Sequence, residues 1–399
     1  MSVTELSVRR WLILALAIAA AWTGAVAGQE SPDRYAAGIE AAQSGAPREL
    51  GALTMTQLLE RVKVPGLSVA VIKDERIHFA KGYGLADVTA NRPVQPDTMF
   101  QAASISKPVT AMATVRLAQE GRFSLDADVN TLLKSWKVPA SPHTSGQPVT
   151  PRGLSSHTAG GDDGFGFPGY DPSAPRPTLI QILNGQAPSN VGPVLFTRPP
   201  YQAYKYSGGS VALMQLLLTD VTGKAFQVLM QEMVLAPLQM TDSTFEQPLP
   251  AARVSQAAHA YDRDGKPQVA PWHVYPEQAA AGLWTTPTDL AKFAIEVQRA
   301  LGGPRGAVLT QASAREMTTP VGVGPYGVGL SLEKRGEGWY FSHGGSNWGF
   351  RCLLLAHLRK GYGVAIMTNG DSGGQAITEV LERVAAAYRW DMLDKPLVR

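Results

Sequence analysis

The chain reads as an α/β protein of the α+β kind: an antiparallel sheet flanked by helices and built from both chain ends, with a mainly helical domain inserted between. Three observations predict this. A β-hairpin pattern lies near the N-terminus, strand signals are scarce over residues 124–271, and strands return after Tyr326 before a closing helix. The implied division is a leader over 1–27, an α/β domain from 33–123 plus 272–399, and a helical insert over 124–271. A chain of 399 residues exceeds the ~250–300 at which single cores stop growing, so one large domain or two interleaved ones are expected. Its 44% hydrophobic and 17% charged content is that of a compact globular protein.

The elements follow in order. Arg9 and Arg10 precede an apolar run from Trp11 to Trp22, and Ala25-Val26-Ala27 supplies small residues at cleavage spacing. This predicts a signal peptide and an exported protein, periplasmic or secreted. The run falls short of the ~20 residues that a spanning helix needs, and no later segment could form a stable membrane span. Residues 33–62 predict two helices interrupted at Gly45-Ala46-Pro47. Runs at 66–72 and 77–84 flank the polar turn 73–76 and predict the hairpin. Residues 104–119 predict a helix ended by Gly121. In the middle, 210–221 and 226–235 are helical among loops rich in Pro and Gly. Beyond them come a helix at 289–301, strands at 327–333, 339–342, 350–358 and 362–368, and a final helix at 375–388.

Several function classes are excluded early. A net charge of +3 without any Lys/Arg run gives no footing for nucleic acid. Cys352 is the single cysteine, so no disulfide forms within the chain. The seven histidines form no metal-ligand spacing, and no cofactor motif is present.

Chemistry enters with Ser104-Ile105-Ser106-Lys107. Positions i and i+3 share a helix face, so the hydroxyl and amine can meet. A serine needs a base, and a lysine serves only when its surroundings pull its pKa below ~10.4. Ser331-Leu332-Glu333-Lys334 repeats the spacing in a strand-like stretch, where residues three apart point to opposite faces.

From about 64 to 388 the chain resembles the serine β-lactamase and penicillin-binding superfamily, in its class C-like branch with the family VIII esterases. The resemblance rests on Ser104-Ile105-Ser106-Lys107, Leu154-Ser155-Ser156-His157-Thr158-Ala159-Gly160, Tyr206-Ser207-Gly208 and His343-Gly344-Gly345, in that order. It implies that Ser104 is acylated and that Lys107 and Tyr206 share the base and acid work. It also implies that the backbone N–H groups of Ser104 and Ser346 hold the oxyanion, with 343–345 on a strand edging the cleft. A Tyr206 phenol beside Lys107 is expected to be pulled down from ~10.

Two departures bear on the substrate. His343 replaces a lysine cation suited to a substrate carboxylate, and Gly208 stands where β-lactamases carry an amide that contacts substrate. Both favour an ester over a β-lactam. A β-lactamase, a D-amino-acid peptidase or DD-peptidase, and a penicillin-binding protein that does not turn over remain alternatives. The expected partner is a small ester, β-lactam or short peptide. Tyr170, Trp284 and Trp348 flank the motif loops and are expected to line an apolar acyl pocket; Trp272 and Tyr275 read as packing residues.

Two decoys fail. Gly370-Asp371-Ser372-Gly373-Gly374 mimics a nucleophile elbow, but no histidine follows His357 to complete a triad. His157 reads as a hydrogen-bonded structural histidine.

Overall fold

A computed structural model describes residues 31–43, 49–162, 166–304, 306–391 and 397–398. The expected leader lies outside these residues. The sheet is assembled from both ends of the chain. Its strands are β1 (Gly66–Lys73), β2 (Arg76–Asp87), β3 (Arg92–Pro93), β6 (Ser331–Arg335), β7 (Gly338–Asn347), β8 (Phe350–His357), β9 (Gly363–Thr368) and β10 (Leu397–Val398). A separate pair joins β4 (Phe100–Gln101) to β5 (Trp284–Thr285). The main sheet runs β10-β6-β7-β8-β9-β1-β2-β3, and every pairing in it is antiparallel.

The first hairpin turns through Asp74 and Glu75, both left-handed at φ +54° and +55°. A tight antiparallel turn demands two such residues, and the Glu75 N–H is secured on Gly361 O at 2.8 Å. β1 is a continuous apolar run because both of its faces are covered. Leu67, Val69 and Val71 face a core shared with Ile39 and Leu58 of the N-terminal helices and Val380 and Val384 of the last helix, Gly373–Ala387. Ala70 and Ile72 face the larger core, with Met112 of the helix Ser106–Gln119 and Phe293 of the helix Pro287–Leu301. Leu154, Leu213 and Phe226 of the helical middle belong to that same cluster, so sheet and insert share one apolar interior.

Fully buried Arg383 ties the ends together. Its guanidinium donates to Glu379 Oε1 at 2.8 Å and to the carbonyls of Ile39, Ala41, Leu50 and Leu53.

Two strand boundaries differ from expectation. The strand predicted at 327–333 begins only at Ser331, because Gly329, at φ +89°, packs its backbone against Pro108 and Ala111. β7 runs on past 342 to Asn347, carrying the glycine pair with it.

Candidate active site

Phe100 and Gln101 pair with β5 and lead into a tight turn, where Ala103 stands at φ +50°. A left-handed non-glycine residue costs about 1–3 kcal/mol and persists only where its surroundings hold it. Here they do. The Ala102 N–H donates to Leu283 O at 2.8 Å, Cys352 Sγ donates to Ala102 O at 2.9 Å, and Ser106 Oγ donates to Ala103 O at 2.6 Å. The chain makes a 3-10 turn over Ala103–Ile105 before the α-helix Ser106–Gln119. Ser104 is therefore presented on the turn, half-buried, rather than as the first residue of the α-helix.

Lys107 is 2% exposed, and its Nζ lies 2.9 Å from Ser104 Oγ and 2.8 Å from Ala280 O. The carbonyl comes from the short helix Gln278–Ala281, which fixes the amine where the serine proton must go. Tyr206 closes the other side: its phenol shares a hydrogen bond with Ser104, and Lys107 Nζ sits 5.1 Å from its ring centroid. The expectation of a depressed phenol is corrected. Burial pushes Tyr206 well above its usual value, against a smaller lowering from the Ser104 hydrogen bond. Its neighbours are rings, with His157 at 4.3 Å and Tyr326 at 6.2 Å, and such a shell penalises phenolate. Tyr206 thus rests as a neutral phenol, a proton donor.

His157 is a positioning group. At φ +62° its backbone carbonyl accepts from the Lys205 N–H, and its Nδ1 accepts from the Ser207 N–H at 3.2 Å. Burial first, then the nearby Lys107 charge, pushes its pKa well below the usual imidazole value, so it is neutral.

On β7, His343 pairs with Leu354, Gly344 with Leu353, Gly345 with Cys352 and Ser346 with Arg351. Gly345 is required by close approach. A Cβ there would fall 2.3 Å from both Ala102 O and Cys352 Sγ, so the strand backbone lies against the nucleophile turn. Gly344 and Ser346 are exposed along this edge. His343 is 3% exposed, its Nδ1–H donates to Gly344 O at 2.6 Å, and its buried Nε2 has no hydrogen-bond partner. Burial, followed by the Lys107 charge, pushes its pKa down to about 3. It is a neutral imidazole, not a surrogate lysine.

The aromatic pocket needs correction. Trp284 is fully buried, edge-on to Trp272 and Phe350, because β5 is interior. Tyr170 is 5% exposed and is spent on structure: it exchanges two backbone hydrogen bonds with Val274, and its hydroxyl accepts from the Asn190 N–H. Only Trp348 is partly open, stacked on His273 at 3.9 Å. Gly208 opens the helix Gly208–Thr222, two residues past Tyr206.

Sequence reasoning missed Tyr326, which stands 5.8 Å from His343, and the Ala280 carbonyl; a backbone oxygen leaves no signal in side-chain identity. Ser372 precedes the last helix and donates to Arg263 O, away from this cluster.

Chemically, a half-buried hydroxyl between a lysine amine and a neutral phenol, facing an open strand edge, suits attack on a carbonyl followed by protonation of a leaving group. A family model described as Beta-lactamase matches residues 52–388. Protein flp of Staphylococcus aureus (strain N315) is 24% identical over 328 residues, 79% of this chain and 61% of that protein, so the chain spans about 61% of such a curated relative. Among solved structures, the penicillin-binding protein homologue from Pyrococcus abyssi superposes with a TM-score of 0.67 at 23% identity, over 86% of this chain and 77% of that one. The D-amino acid amidase from Ochrobactrum anthropi SV3 gives 0.68 at 22%, over 90% and 98%. These likenesses establish the fold. Since the family model takes in β1 to β9, the helical middle and every residue of the Ser104 cluster, the chain belongs to the beta-lactamase family.

Proposed function

We propose that the protein is an acyl-transfer hydrolase acting by a two-step mechanism on esters in preference to β-lactams. The observation that carries this reading is Lys107 Nζ at 2.9 Å from Ser104 Oγ, beside a phenol that burial keeps protonated. In the first step Lys107, once it has shed its own ammonium proton, takes the Ser104 proton while Oγ attacks the carbonyl. The developing oxyanion is received by the backbone N–H groups of Ser104 and Ser346. Collapse expels the alkoxide, which Tyr206 protonates; Lys107 then restores the phenol proton. Water repeats the sequence on the acyl-enzyme and frees the acid.

Ester preference rests on what the strand edge lacks. A substrate carboxylate finds no cation at position 343, since the His343 imidazole is neutral above about pH 3. Gly208 offers no amide side chain to an acylamino group. Export through the leader at 1–27 is part of the proposal.

Turnover of p-nitrophenyl butyrate, nitrocefin and a D-Ala-D-Ala peptide by wild type and Ser104→Ala tests it. The expected result is ester hydrolysis that depends on Ser104 and exceeds nitrocefin turnover. A large preference for nitrocefin or the peptide overturns the ester assignment, and ester turnover by Ser104→Ala overturns the mechanism.

A further inference from the structure

Gly208 stands where Tyr206 enters its helix, and the space over it is taken. A Cβ at this position would lie 2.9 Å from Cε2 of Phe167 and 3.5 Å from its Cδ2. The ring, half-buried and packed on the main core, fills the volume that any side chain at 208 would enter. Its place is held by the residues that follow. Pro168 O accepts from His273 Nδ1–H at 2.9 Å and from the Tyr275 hydroxyl at 3.4 Å. Gly169 O accepts from Asn190 Nδ2 at 2.8 Å, and Tyr170 exchanges two 2.8 Å backbone bonds with Val274. The 273–275 segment is itself anchored at the end of β7: Tyr275 Oη accepts from the Trp348 N–H at 3.1 Å, and His273 stacks on the Trp348 ring. Phe167 is thus mounted on the framework that carries the glycine strand, with its ring beside the first turn after Tyr206.

From this we infer that Phe167 is a specificity-determining residue of the acyl site. With Gly208, which has no side chain, it forms an aromatic wall that offers no side-chain hydrogen-bond donor among the described residues, and this wall takes an apolar acyl chain and rejects an acylamino group. An amide set against the ring would lose its water and gain no hydrogen bond from the ring, and such losses discriminate more strongly than apolar mismatches. The inference rests on the acyl-enzyme reading above and names the substrate class within it.

The test compares p-nitrophenyl octanoate, p-nitrophenyl acetate and the p-nitrophenyl ester of N-acetylglycine on wild type, Phe167→Ala, Phe167→Leu, Gly208→Asn and the Phe167→Ala/Gly208→Asn double variant. Phe167→Ala is expected to lose about tenfold in kcat/KM on octanoate, chiefly through KM, and less on acetate. Phe167→Leu should keep most of the octanoate preference, which separates wall chemistry from misfolding. Gly208→Asn should weaken every ester, because its side chain meets the ring, and the double variant should recover on the N-acetylglycine ester. An octanoate-to-acetate ratio unchanged in Phe167→Ala, or a double variant no better than Gly208→Asn on the N-acetylglycine ester, overturns the assignment. Fluorophosphonate labelling of the same preparations separates the two levels: a wild type unlabelled at Ser104 sinks the acyl-enzyme reading, whereas a labelled enzyme with unchanged ratios sinks only the role of Phe167.

Discussion

Two stretches of this chain place serine and lysine three residues apart, Ser104 with Lys107 and Ser331 with Lys334, and they differ in backbone. The first follows a left-handed Ala103 into a helical turn, and its two side chains meet at 2.9 Å. The second lies on β6, where Ser331 pairs with Ser342 and Lys334 with Trp339, so the two side chains leave the sheet on opposite faces. Proximity to the site is not the distinction, since Ser342 adjoins His343. What matters is a backbone that turns both groups to one point and buries the amine there. The strained turn, the carbonyl of Ala280 and the close strand at Gly345 all serve that placement.

The comparison breaks most visibly under alanine. Ser104→Ala or Lys107→Ala is expected to lower kcat/KM for an ester by about 10³-fold or more, while Ser331→Ala and Lys334→Ala stay within about twofold. Comparable losses in the second pair would show that spacing alone had been misread. Tyr206→Phe removes the proton donor but leaves the pair, and steady-state and burst kinetics should show kcat falling about 10²- to 10³-fold with acyl-enzyme accumulating. Unchanged kcat would move the acid elsewhere.

Gly345→Ala tests the placement itself. Its Cβ collides with Ala102 O and Cys352 Sγ, so the nucleophile turn must shift. Expected are a stability loss of about 1–3 kcal/mol in urea titration and a fall in kcat of about 10²-fold with KM changed less. A stable variant with full activity would show the turn to be adaptable.

A separate readout, on stability rather than on turnover, is pH dependence. His343 stays neutral down to about pH 3 in the fold, against ~6.5 when unfolded. The unfolded chain binds the extra proton across that window. The contribution is therefore fully present above pH ~6.5 and is lost as pH falls towards 3, by up to about 1.4 kcal/mol per pH unit. His343→Gln should flatten this slope in urea titrations from pH 7 to 4; an unchanged slope would assign the acid lability to other groups.

Much of this was legible in the letters. The 66–84 hairpin, the helix after Ser104, the final helix and the construction of the sheet from both ends follow from periodicity and turn residues. The Ser104 cluster was legible because four short motifs occur in order. Burial was not. Trp284 and Tyr170 lie beside the motif loops in sequence, yet their rings face the interior, since β5 and the 273–275 segment are covered by neighbours distant in the chain. The direction of the Tyr206 shift depends in the same way on the rings of His157 and Tyr326, which tertiary packing brings to it. Phe167 was invisible because nothing in its local sequence points to Gly208.

The central claim is that only the turned pair makes a nucleophile. Incubation with a fluorophosphonate, followed by peptide mass spectrometry, tests it directly. The account predicts stoichiometric label on Ser104 that disappears in Ser104→Ala and persists in Ser331→Ala. Label on Ser331, on Ser372 or on no serine would contradict it.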